Sequence, residues 1–150
     1  MDRRTFFSSS AAFAVLSVSA LAQGHQHHHG HKPAASSNPK TKHSALIKTS
    51  AECVEKGQVC LAHCFDLIAA GDRSVVECAR LVTELNAACQ ALHTLASVNS
   101  KNLYLFGSAV KQICNACERE CRKHADHHVQ CRDCADACVK CRDEIGRLAL

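Results

Sequence analysis

The sequence predicts an all-α fold, an antiparallel up-down-up-down four-helix bundle with a cysteine-lined core. Three observations carry that reading: the cysteines recur at helical intervals, four helix-length segments are parted by short breaks, and no alternating strand pattern competes. The clearest stretch runs from Cys114 to Cys141, where seven cysteines are spaced by 3, 4, 10, 3, 4 and 3 residues. At about 100° per residue, Cys114, Cys117 and Cys121 fall within roughly 60° of arc. Cys131, Cys134, Cys138 and Cys141 fall within roughly 80°. Between Cys114 and His128 there is no Val, Ile, Leu, Met or aromatic residue. Thiols, rather than aliphatic side chains, make the inward face.

The chain has 150 residues, enough for one ordinary domain. Its first part, residues 1–22, reads as a twin-arginine (Tat) signal peptide. Arg3 and Arg4 are followed by Phe6 and a modestly apolar stretch, and Ala20-Leu21-Ala22 closes it as a small-x-small cleavage site. The stretch is too short and too rich in Ser and Ala for a membrane span. The mature chain would begin at Gln23 and work in the periplasm, exported already folded. Residues 23–43 carry His25, His27, His28, His29 and His31 among Gly, Pro, Ser and Lys. That composition predicts a disordered linker. Clustered imidazoles in it make a weak, exchangeable site for Cu(II), Zn(II) or Ni(II).

The folded domain is expected over residues 44–150. Helix 1 should run from Ser44 to Ala70, with Gly71 as its stop. Cys53, Cys60 and Cys64 lie on it within about 40° of one another. Gly57 shares their face and leaves room there for something other than a side chain. Helix 2 should run from Arg73 to Val98, with Cys78 and Cys89 on the face of Val82, Leu85, Leu92 and His93. Asn99-Ser100 breaks the pattern. Helices 3 and 4 follow, from Lys101 to Asp126 and from His128 to Leu148.

Counting about 1.5 Å per residue from the turns places the thiols in layers. Cys131 is expected nearest the end holding the helix 1–2 and helix 3–4 turns. Cys64, Cys78, Cys121 and Cys134 come next, and Cys60, Cys117 and Cys138 one turn deeper. Cys53, Cys89, Cys114 and Cys141 are deepest. Leu46, Leu92, Leu95, Phe106, Val110, Ile145 and Leu148 then plug the far end. His63, His124, His127 and His128 gather at the thiol end and are the candidate ligands for metal passing in or out. His43 and His93 read as surface or end-lining residues.

The chain carries 12 cysteines, too many for one structural zinc with its closed set of four ligands. Soft thiolates select Cu(I), zinc and iron–sulfur clusters. Cu(I) accepts low coordination numbers, so a ladder of thiols can hold many ions, up to the order of one per cysteine. Disulfide staples are the main rival, because an exported protein meets an oxidising compartment and the count is even. The run Cys131-x-x-Cys134-x-x-x-Cys138-x-x-Cys141 also looks like a ferredoxin ligand string, but it lacks the following proline and a loop-rich setting. Net charge is +4 with both signs interleaved, which excludes a nucleic-acid stripe or an amphipathic membrane helix. No Ser/His/Asp set is organised, and core-facing thiols are not exposed nucleophiles, so an enzyme is not expected.

Taken together, Cys60-Leu-Ala-His63-Cys64, Cys114-x-x-Cys117-x-x-x-Cys121-Arg-Lys-His124 and His127-His128-x-x-Cys131-x-x-Cys134 resemble the copper storage protein family, most closely its exported, twin-arginine-targeted branch. The resemblance covers residues 44–150. It implies a four-helix bundle, commonly tetrameric, whose cysteines bind many Cu(I) ions, for buffering copper or supplying a copper chaperone or copper enzyme. Exported members tend to carry methionines near a mouth. The only Met here is Met1, which leaves histidine as the available substitute.

Overall fold

A computed structural model describes residues 42–149. The expected signal peptide, and the five histidines of the expected linker, lie outside the described residues. Four helices follow in order: α1 (Ser44–Ala69), α2 (Val76–Ser97), α3 (Leu103–Arg122) and α4 (Val129–Gly146), with a closing 3₁₀ turn, Arg147–Ala149. There is no strand among the described residues, and none of their helices is long and apolar enough to cross a membrane. Each helix packs against two others, α1 on α2 and α4, α3 on α2 and α4. The short connections make sequence neighbours antiparallel, and the ring closes as an up-down-up-down bundle.

The helices are shorter than the periodicity predicts because the turns use more of the chain. At the end of α1, Gly71 takes φ +96, a left-handed conformation that favours glycine. Its N–H bonds to Ile68 O, and the Asp72 N–H to Leu67 O, which satisfies the last carbonyls of α1. Asp72 Oδ1 then accepts from the Ser74 N–H at 2.8 Å, so residues 73–75 belong to the turn and α2 begins at Val76 rather than Arg73. Asn99, at φ 51, ends α2 in the same way, with the Ser100 N–H reaching Leu95 O. Beyond Arg122 the backbone tightens into i→i+3 bonds through His127, so α3 stops short of the expected Asp126. His128 is extended, at φ −130 and ψ 104, and α4 starts one residue later.

The core divides along the bundle axis. At one end Leu46, Leu92, Leu103, Val110 and Ile145 are buried, with Leu95, Phe106 and Leu148 packed against them. This is the expected apolar plug. Gly107 lies within it, and any side chain there would press on Leu148 and Ile145. Towards the other end the buried side chains are nearly all cysteines and alanines, joined by Val75 of the turn and by Val82 and Leu85 of α2. Ser50, fully buried, lies on the same stripe of α1 as the cysteines and donates its hydroxyl to Leu46 O at 2.7 Å. A serine there spends its polarity on its own helix and needs no partner across the bundle.

One expectation about α1 is overturned. Gly57 does not open space for a non-protein group. A Cβ on Gly57 would stand 2.2 Å from Oδ1 of Asn86, so the carboxamide of α2 fills the gap. Asn86 lies between Val82 and Cys89 on the inner side of α2. Its side chain needs a helix without a Cβ opposite it to fit at all.

Candidate metal centre

All 12 cysteines fall within the described residues, and each is a buried free thiol. Their position follows from spacing alone: steps of three, four, seven and eleven keep one stripe of each helix pointing at the axis. Within that axis the sulfurs collect into groups whose members all lie within 4.8 Å of one another. Cys53, Cys89, Cys114 and Cys141 form the deepest, next to the apolar plug, as the axial count predicts. Cys117, Cys134 and Cys138 form another, and Cys60, Cys121 and Cys134 a third. The last holds Cys60, Cys64, Cys78 and Cys131. Cys60 and Cys134 each belong to two groups, so three of the groups run into one another as a continuous ladder.

Two details of the layering differ from the count. Cys131 belongs to the group at the turn end but does not stand apart there: it is fully buried, with its sulfur 3.8 Å from that of Cys60, which the count puts two layers deeper. Because α4 begins only at Val129, Cys131 falls in its first turn, beside the last turns of α1. The expected layer of Cys64, Cys78, Cys121 and Cys134 also divides, the first two joining Cys60 and Cys131, the last two meeting at Cys60. Cys78 and Cys121 nevertheless touch, at 3.6 Å.

Contact at these distances makes the thiols share protons. The sulfur of Cys117 lies 3.8 Å from that of Cys121. That bond pulls Cys121 down to about 6 and pushes Cys117 up. Cys64 is held below the ordinary thiol range, first by its bond with Cys131. The thiolate is the metal-binding form. Each metal ion that enters the core therefore displaces protons from the thiols that bind it.

The four mouth histidines separate into different settings. His63 Nε2 and His128 Nδ1 approach to 3.0 Å across α1 and the start of α4, with ring centroids 4.9 Å apart. Both are half-buried, and each is close in sequence to a ligand of the mouth group, Cys64 and Cys131. His124 is half-buried too, but its Nε2 lies 3.6 Å from Oε1 of Glu120 and has no hydrogen-bond partner. His127 is exposed, with none of the site's side chains beside it among the described contacts, so the structure does not bring it to the others. The turn at residues 123–128 points it outward. His93, expected as a surface or end-lining residue, is half-buried at the plug end and faces Ile47 O with its Nδ1 at 3.1 Å.

Two residues were missed. Glu120 is only 8% exposed and accepts from Lys123 Nζ at 2.5 Å while facing His124. The signal was available: Glu120 stands three residues after Cys117 and four before His124, on their stripe. Asn86 shares the stripe of Cys89 in the same way. Both were passed over because a polar residue on a helix usually faces water.

A bundle of four antiparallel helices with a core of contiguous thiol groups defines a class: a soft-metal-binding protein that holds several ions inside one domain. The profile of the copper storage protein (Csp) family matches residues 39–149, and the chain belongs to that family. The solved structure of apo-Csp3, copper storage protein 3 of Bacillus subtilis, superposes with a TM-score of 0.62 at 25% identity, covering 71% of this chain and 97% of that one. The Cu(I)-bound copper storage protein BsCsp3 gives 0.63 at 25% identity, covering 71% and 96%. The copper storage protein Ccsp of Streptomyces lividans, loaded with 10 copper equivalents, gives 0.66 over 79% of this chain and 92% of that one. At 22% identity this last likeness speaks to the fold. No curated protein sequence matches the chain.

Proposed function

We propose that this protein is a non-catalytic Cu(I) store that holds many ions per chain on the thiolates of Cys53, Cys60, Cys64, Cys78, Cys89, Cys114, Cys117, Cys121, Cys131, Cys134, Cys138 and Cys141. The observation that carries it is the burial of every cysteine as a free thiol, in groups linked through shared sulfurs. Cu(I) needs only two or three soft ligands, which every group supplies. Membership of the copper storage family and the Cu(I)-bound Csp3 structure support the choice of metal. Anaerobic titration of the reduced protein, with free thiols counted first, is expected to show tight binding on the order of one Cu(I) per cysteine with little change in helix content. Saturation at one or two ions would sink the storage reading, and a low thiol count would favour disulfide staples.

The reading extends to location and traffic. Arg3-Arg4 and Ala20-Leu21-Ala22 support export by the twin-arginine route to the periplasm, where the store would buffer copper or supply a copper chaperone or copper enzyme. A homo-oligomer belongs to the reading, as the family resemblance implies. His25, His27, His28, His29 and His31 would gather metal loosely ahead of the bundle. Cu(I) passes the His63–His128 pair, because imidazole holds it less tightly than thiolate and so hands it on. The geometry favours this pair over His127. Replacing both His63 and His128 with Ala is expected to slow loading and removal by about tenfold while total capacity stays within about one ion. Stopped-flow transfer to a strong Cu(I) chelator measures it. Unchanged rates would put the route elsewhere, and a large loss of capacity would make these histidines storage ligands.

A further inference from the structure

The deep thiol group has a property that copper storage does not require. Cys53, Cys89, Cys114 and Cys141 come one from each helix, and none of them belongs to a second group. The other four-thiol group takes Cys60 and Cys64 from α1, has no ligand from α3, and shares Cys60 with its neighbour. A ladder for Cu(I) gains from shared sulfurs, and this set shares none with another group. Four sulfurs at mutual separations within 4.8 Å are what a single tetrahedral ion asks for. Metal–sulfur bonds of about 2.3 Å place tetrahedral S···S edges at about 3.8 Å. A small inward movement of side chains that already point at one another closes the set.

We propose that Cys53, Cys89, Cys114 and Cys141 form a closed site for one divalent tetrahedral cation of the zinc type, which ties the four helices together before copper arrives. The surroundings suit a structural ion. One turn towards the plug lie Leu92, Val110 and Ile145, all buried, with Ser50, whose hydroxyl is spent on Leu46 O, so that side offers the ion no free polar ligand. Four thiols lose their protons to solvent as the ion binds, leaving a complex with a net charge of −2. One ion ligated from every helix sets their relative heights. The stretch from Cys114 to His128, with no large apolar side chain, cannot do that by packing. Cu(I), being softer, would later take over these thiolates as the ladder fills.

Co(II) is the probe, used on the reduced full-length chain without oxygen. Thiolate-to-cobalt charge-transfer absorption reports sulfur ligands alone, so imidazoles of the linker do not contribute to it. One Co(II) per chain is expected, with tetrahedral ligand-field bands and charge-transfer intensity for four thiolates, erased by one equivalent of Zn(II). Cys89→Ser and Cys141→Ser should each weaken that binding at least tenfold, whereas Cys64→Ser, in the mouth group, should leave it unchanged. A wild-type protein with no sulfur charge-transfer band, or with two or more thiolate-bound Co(II) per chain, would overturn the proposal. So would loss of the signal in Cys64→Ser. These results are separable from copper storage: a normal Cu(I) titration beside a failed Co(II) titration removes only the structural ion.

Discussion

Saturating the reduced bundle with Cu(I) is expected to raise its thermal midpoint by on the order of 20 °C or more. The reason lies in what the core lacks. From Cys114 onward α3 buries only Cys114, Cys117, Glu120 and Cys121, and α4 buries only Ala135 and Ala137 besides its cysteines before reaching Ile145. Thiols fill space as small hydrophobes, so these helices withdraw little apolar area from water compared with Leu- or Ile-lined ones. Any ligand that binds only the folded state adds its own binding free energy, about 4 kcal/mol at a thousandfold excess over its Kd. Each kcal/mol moves the midpoint of a domain this size by roughly 4 °C or more. Two such ions, about 8 kcal/mol together, already exceed a 20 °C shift. Circular dichroism melts of the copper-free and loaded protein, run anaerobically, measure it. Equal midpoints would mean that the ions do not bind the folded core preferentially.

Removing a shared thiol should lower capacity more than removing an unshared one. Cys60 and Cys134 each serve two groups, whereas Cys89 serves one. Cys60→Ser and Cys134→Ser are therefore expected to cost about two Cu(I) per chain, against about one for Cys89→Ser. Serine nearly preserves volume, so a change in packing does not explain the difference, and a far-ultraviolet spectrum confirms retained helix. Competition with a chromophoric Cu(I) chelator gives the stoichiometry. Equal losses for the three variants would show that ions are not organised by the groups the sulfurs form.

Facing was legible in the sequence because it depends only on residue spacing and helical pitch. Three- and four-residue steps put every cysteine on an inner stripe whatever the helices later do, so four helices, their antiparallel order and the plug of Leu92, Val110 and Ile145 could be read directly. The resemblance carried by the Cys60–Cys64 and Cys114–His128 motifs pointed to the same family that the profile match gives. Axial height was legible only in part. The deep set of Cys53, Cys89, Cys114 and Cys141 came out together because helix lengths average out far from the turns. Near the turns one residue of error matters, and there Cys131 meets Cys60, which the count puts two layers deeper.

Contacts between helices are what only the tertiary structure decided. Nothing local in Gly57 announces that Asn86 of α2 will fill its gap, since the two are brought together by the α1–α2 packing. The His63–His128 approach depends on the extended conformation of a single turn residue. The exposure of His127 depends on the same turn. Which cysteines share a group follows from the tilt and height of four helices at once. The sequence by itself determined that the core would be made of thiols, because periodicity acts along one chain segment. Which sulfurs meet was left to packing, because a distance across a bundle is a property of all its helices together.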